Sequence, residues 1–211
     1  MALTNEISVF LQQGRAPKVK ELVAQALEEG VEPKAILEEG LLDGMNVIGE
    51  KFKNNEVFVP EVLIAARAMN AGLEILKPRL AQSGVEDKGV AVIGTIKGDL
   101  HDIGKNLVKM MMEGKGIRVI DLGVDVSPQT FVDKAIENNA NIICCSALLT
   151  TTMGEMKNVV ETAKAANIRD KVKIMVGGAP VTQSFCDMIG ADCYTPDATT
   201  AAEAALSFCN Q

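Results

Sequence analysis

From about residue 88 onward, the chain alternates a short apolar run with a stretch of helical period, five times over, and few folds accommodate that pattern. The runs at 90–95, 117–122, 141–146, 172–176 and about 192–195 are apolar on both faces, as strands inside a covered sheet are. Helical stretches near 104–115, 128–139, 152–167, 181–189 and 198–209 separate them. A strand–helix repeat implies right-handed crossovers and a parallel sheet. Five such units predict an α/β fold with a flavodoxin-like (Rossmann-like), doubly wound sheet of order 2-1-3-4-5. Its switch point lies between strands 1 and 3.

Residues 1–82 have a different period and read as helices only. Thr4 is placed to cap a first helix ending near Gly14. Pro17 suits the first turn of a second, whose stripe Val19, Leu22, Val23, Ala26, Leu27 runs to Gly30. A third starts at Pro33 and carries Ile36, Leu37, Leu41, Met45, Ile48 and Phe52; a fourth opens at Pro60 with Leu63, Ala66, Met69, Leu73, Leu76 and Leu80. Four amphipathic helices with short connections predict an antiparallel four-helix bundle. The joint Lys53–Val59 holds Val57, Phe58 and Val59, apolar residues that a solvated turn does not need. The polar, glycine-bounded segment 82–89 (QSGVEDKG) marks the expected boundary between a helical domain over 1–87 and an α/β domain over 88–211.

The net charge of −7 argues against a nucleic-acid partner, which requires a clustered basic face. No apolar run reaches membrane-spanning length, and the N-terminus lacks the basic-then-apolar pattern of a secretory signal, so a cytoplasmic protein is expected. The five cysteines show no C-x-x-C or metal spacing and read as small buried apolar residues in a reducing compartment. G98-x5-G104-K105-N106 is one residue too long for a phosphate-binding loop and has Asn where a magnesium-binding hydroxyl belongs. No G-x-G-x-x-G occurs, and Thr95-Ile96 stand where a receiver domain needs an acidic pair.

His101, the single histidine, lies in the loop that strand 1 delivers and the helix from Gly104 carries away. Ligands bind at the carboxyl ends of strands in open α/β sheets, and Ser146 ends strand 3 across the switch point from that loop. Asp99, two residues before His101, is spaced to take the ring N–H proton and fix its tautomer, as metal-ligating histidines require. Neutral imidazole suits first-row transition metals.

Asp99-Leu100-His101-Asp102-Ile103-Gly104, then Ser146-Ala147-Leu148, then Gly177-Gly178 reproduce D-x-H-x-x-G, S-x-L and G-G; 41 residues separate the first two motifs and 28 the last two. In motif order and spacing the chain resembles the corrinoid proteins of methanol- and methylamine-type methyltransferase systems, and is similar to the cobalamin module of methionine synthase. The resemblance implies a corrinoid methyl carrier that cycles between Co(I) and methylcobalamin. His101 would bind cobalt in place of the cofactor's own benzimidazole, and Asp99 and Ser146 would form a relay behind it. The displaced tail would lie beside the sheet. Gly98 and Gly104 would admit the corrin, Gly177 and Gly178 the tail, with Thr150 and Ala198 as further tail contacts. From the bundle, Phe52, Val59 and Val62 would cover the reactive face of the corrin, and Glu38 would reach the cofactor. Implied partners are a substrate-specific methyltransferase, an acceptor methyltransferase using tetrahydrofolate or a thiol, and a reductive activation protein. The chain would thus be one component of a multi-protein system. The alternatives are the small subunit of an adenosylcobalamin isomerase, against which the bundle speaks, and a cobalamin-dependent sensor, for which no effector segment remains.

Overall fold

The computed structural model describes residues 2–83 and 87–210 and divides the chain into two compact units, residues 1–86 and 87–211. The first is helical: α1 (Leu3–Gln12), α2 (Ala16–Glu28), α3 (Pro33–Ala35), a π-helical segment (Ile36–Leu42), α4 (Asp43–Lys53) and α5 (Val59–Ser83). The expected third helix is thus α3, the π segment and α4 in succession, and no hydrophobic period announces that change of winding. Gly40 and Gly44 sit against α1. A methyl on Gly44 would meet the Ser8 carbonyl oxygen at 3.0 Å and the Ser8 Cα at 3.1 Å. Ile7, Leu11, Val19, Val23, Ile36, Leu41, Val62, Met69 and Leu76 are fully buried in the core of this unit.

Two expectations fail here. Thr4 lies inside α1 and is buried, while Ala2 occupies the cap position, so the helix begins earlier than a hydroxyl cap would place it. Leu63 is exposed, because Val62, Ala65, Ala66 and Met69 claim the inner stripe of α5.

The second unit is β1 (Gly89–Thr95), α6 (Ile103–Glu113), β2 (Ile117–Asp121), α7 (Pro128–Glu137), β3 (Ile142–Ser146), α8 (Gly154–Ala165), β4 (Lys173–Gly177), α9 (Gln183–Ile189), β5 (Cys193–Tyr194) and α10 (Ala198–Cys209). All five strands are parallel in the order β2-β1-β3-β4-β5. Register explains how the two faces divide. Val92, Ile143 and Ile174 stand side by side and face a core with Phe131, Val132, Val159 and Val160 of α7 and α8. Alternation then turns the next row, Ile93, Cys144, Met175 and Cys193, to the opposite face. β2 departs from the doubly apolar expectation: it is an edge strand with Arg118 and Asp121 exposed.

Register also brings the motifs together. Thr95, Ser146 and Gly177, the last residues of β1, β3 and β4, are lateral neighbours. The three following loops therefore leave from one edge.

Candidate functional site

The loop between β1 and α6 is tied down at both ends before it presents His101. Thr95, fully buried, donates its hydroxyl to the His101 carbonyl at 2.9 Å. The Asp125 carboxylate accepts from the Gly98 N–H at 2.7 Å, and Gly98 adopts φ +82°, a left-handed turn that glycine tolerates. Neither Thr95 nor Asp125 stood out in the sequence; their signal is only that they end β1 and follow β2.

Asp99 is the centre of this arrangement and is fully buried. Its Oδ1 accepts from the His101 backbone N–H at 3.0 Å and lies 2.8 Å from His101 Nδ1. Its Oδ2 accepts from the N–H groups of Leu148 at 2.7 Å and Leu149 at 3.0 Å, and from the Thr152 hydroxyl at 3.4 Å. One carboxylate thus clamps the first motif loop to the third strand's loop. Burial by itself raises the Asp99 pKa; the hydrogen bonds from His101, Leu148 and Leu149 outweigh it and hold the carboxyl far below the usual carboxylate range. Its folded pKa lies below the unfolded value of about 3.9, so its stabilising contribution is complete above that value and is lost as pH falls through the range beneath it. An Asp99→Asn protein, followed by circular dichroism during acid titration, should show a flatter acid limb than the wild type. An unchanged limb would show that this carboxylate does not govern acid stability.

The relay differs from the sequence expectation. Ser146 makes no hydrogen bond to Asp99; its carbonyl accepts from the Ile96 N–H at 3.0 Å and its side chain lines a cavity. The hydroxyl that reaches Asp99 belongs to Thr152, which also donates to the Leu149 carbonyl at 2.9 Å. Thr150, Thr151 and Thr152 are consecutive, and spacing from the S-x-L motif could not say which of them turns inward.

With Nδ1 on a carboxylate, His101 keeps Nε2 free of protein partners among the described residues, on a side chain 52% exposed. Around it Leu100 (70% exposed), Ile103 (76% exposed), Leu148 and Leu149 form an apolar surface that nothing in their own unit covers. Asp102 is also exposed and accepts from the Asn106 amide at 3.1 Å. Beside the row Ile93, Cys144, Met175 lies a cavity of about 300 Å³, walled by Leu107, Val108 and Met112 of α6 and by Ala198 and Ala201 of α10. Gly104, Ser146, Gly177 and Gly178 also line it; Thr150 is exposed in the 147–153 loop and does not. Lys105 is buried in its wall, with Nζ 2.5 Å from Asp121 and 2.8 Å from the Asn106 side chain. Burial tends to raise the Asp121 carboxyl, but the Lys105 ammonium and the Gly123 N–H hold it below its ordinary value.

In the helical unit, Glu38 is exposed on the π segment, Phe52 and Val59 are half-buried, and Val62 is wholly enclosed. Val62 is therefore a core residue, a position that its spacing from Pro60 did not distinguish from a surface one.

An available Nε2 on a carboxylate-held imidazole, an apolar platform around it and a lined slot beside the sheet are what a metallocofactor-binding α/β module would use. The donor set fits a flat, apolar macrocycle with an axial ligand and an appended tail. Comparison with known proteins gives the same class. Two family models described as B12 binding domain match, one over residues 89–206 and one over 3–77. Trimethylamine corrinoid protein 1 of Methanosarcina acetivorans is 49% identical over 85% of this chain and 84% of its own length. A corrinoid protein of Desulfitobacterium hafniense is 42% identical over 97% and 96%. Among solved structures, the methanol:cobalamin methyltransferase complex of Methanosarcina barkeri matches with a TM-score of 0.89 and 30% identity over 99% of this chain and 80% of that one. The chain belongs to the B12-binding domain family, as a corrinoid protein of the methylamine and methanol methyltransferase type, and cobalamin is its cofactor. Among the described residues no helix is long and apolar enough to cross a membrane.

Proposed function

We propose that the protein is a methyl carrier that holds cobalamin with His101 as lower axial ligand, the cofactor's own base displaced. When bound, the cofactor would supply the methyl-transfer chemistry of the Co(I)/methyl-Co(III) couple. The observation that carries the reading is the Asp99–His101 pair. A carboxylate buried and saturated with N–H donors holds Nδ1 in its protonated tautomer and aims the lone pair of Nε2 outward. Leu100, Ile103, Leu148 and Leu149 offer an apolar surface around that lone pair for the cofactor to cover. Thr152 completes the shell of Asp99, so the proton on Nδ1 is shared with a carboxylate whose charge is fixed. A substrate-specific methyltransferase is the proposed donor partner, with an acceptor methyltransferase and a reductive activation protein as further partners. The five cysteines, all free, fit a reducing cytoplasmic setting.

The test is electron paramagnetic resonance of the Co(II) form. Coupling to a single axial nitrogen is expected, and it should change when histidine is labelled with nitrogen-15. A spectrum indifferent to the label removes His101 as the ligand. Assaying the loaded protein with candidate methyltransferases and each methyl donor then identifies the donor.

A further inference from the structure

Corrinoids differ in the base at the end of the tail, which is a benzimidazole in some and adenine in others. Resting on the reading above, we infer that the cavity beside β1, β3 and β4 selects a benzimidazole-type base and rejects adenine. Its floor is one row of the sheet, Ile93, Cys144 and Met175, fixed side by side by parallel register. Met112 of α6 faces the same cavity. Three of these four side chains carry sulfur, and polarisable sulfur makes favourable contacts with flat aromatic rings. None of the four offers a conventional hydrogen-bonding group.

The charged groups on the wall are already committed. Lys105 bonds Asp121 and Asn106. The Asp197 carboxylate caps α10, accepting from the Thr200 N–H at 2.9 Å and its hydroxyl at 2.7 Å. Ser146 and Thr195 keep hydroxyls without a partner among the described residues, and they stand at the strand ends rather than on the floor. Two hydroxyls at one edge can satisfy the single imine nitrogen of a displaced benzimidazole. Adenine adds an exocyclic amino group and two further ring nitrogens, and the floor offers them nothing. A buried polar group left unsatisfied costs about a factor of ten or more in binding.

The experiment uses the full-length apo protein and three probes sharing one corrin ring: cobalamin, its adenine-based counterpart, and cobinamide, which has no base. Dissociation constants come from equilibrium dialysis, and the electron paramagnetic resonance signal of each Co(II) complex is recorded. Cobalamin should bind at least tenfold more tightly than the adenine form. Met175→Gln, close in shape but able to donate and accept, should narrow that ratio at least threefold; Met112→Gln serves the same purpose if the first variant does not fold. Equal affinity for the two tailed probes, each with histidine coupling, overturns the selection and leaves the carrier reading standing. Cobinamide binding as tightly as cobalamin overturns it too, since the cavity then holds no base. Loss of histidine coupling with every probe defeats the carrier reading instead.

Discussion

Asp99→Ala is expected to bring the α/β domain to the edge of unfolding, whereas His101→Ala, two residues away, should leave it folded and remove the proposed metal ligand. Asp99 is fully buried, and its two oxygens satisfy the N–H groups of His101, Leu148 and Leu149. Removing the carboxylate strands those three donors. Each stranded group costs about 1–3 kcal/mol, so a loss of about 3–6 kcal/mol is expected once partial relaxation and water entry are allowed for. That is comparable to the whole stability of an ordinary domain, about 5–15 kcal/mol. The His101 ring, half-exposed, donates only to Asp99, so its truncation should cost about 1 kcal/mol. Urea unfolding followed by circular dichroism separates the two. A loss below about 1 kcal/mol for Asp99→Ala would show that the clamp between the two motif loops is not what holds them together. Asp99, which orients the proposed ligand, is thus also structural, and His101 is not.

The fold of the second unit was legible because its signals are local and mutually consistent. The strands other than β2 are largely apolar runs of limited length, the helices have a period, and parallel order follows from their alternation. The least legible strand was β2, where Arg118 and Asp121 mark an edge that the buried-strand pattern does not describe. In the helical unit the stripes of α2 and α4 were readable, but the winding of 36–42 was not. A π segment shifts register without changing composition, and the packing of Gly40 and Gly44 on α1 is a long-range fact.

Within the site, legibility followed distance along the chain. Asp99 and His101 are two residues apart, so loop geometry alone could predict their contact. The hydroxyl behind Asp99 comes from a loop about fifty residues away, where Ser146, Thr150, Thr151 and Thr152 all have the right chemistry. Only the path of the turn after β3 chooses Thr152. Val62 shows the same limit in a helix: residues at 59, 62 and 63 are all apolar, and the bundle, not their spacing, decides that Val62 is inside and Leu63 outside. Lys105 was noticed only as part of a failed phosphate-loop match, yet it is a buried charge in the wall of the cavity.

Substituting alanine at Gly177 and at Gly178 should give opposite failures, although the two are adjacent in one motif. Gly178 adopts φ +129°, and a methyl there would stand 1.8 Å from the Ala147 carbonyl oxygen, which is backbone and cannot swing aside. Gly178→Ala should therefore destabilise the domain by about 3 kcal/mol or more, counting both the backbone strain and the displacement of β3's exit. At Gly177 the nearest described atom to such a methyl is the Thr195 carbonyl oxygen at 3.8 Å, an ordinary contact, and both residues line the cavity. The protein's own packing does not demand a glycine at this position. Gly177→Ala should match or exceed wild-type stability by about 0.5 kcal/mol through a less flexible unfolded chain. Its cost should appear only in cofactor binding: filling the space proposed for the tail should weaken cobalamin by about ten- to a hundredfold, the equivalent of 1–3 kcal/mol of overpacking. Cobinamide, lacking the base, should be affected much less, and Gly104→Ala should likewise leave stability intact, since a methyl there meets nothing within 4 Å. Thermal unfolding and equilibrium dialysis on the variants decide the matter. A Gly177→Ala protein that binds cobalamin as the wild type does would mean that the space beside β4 is not used by the tail.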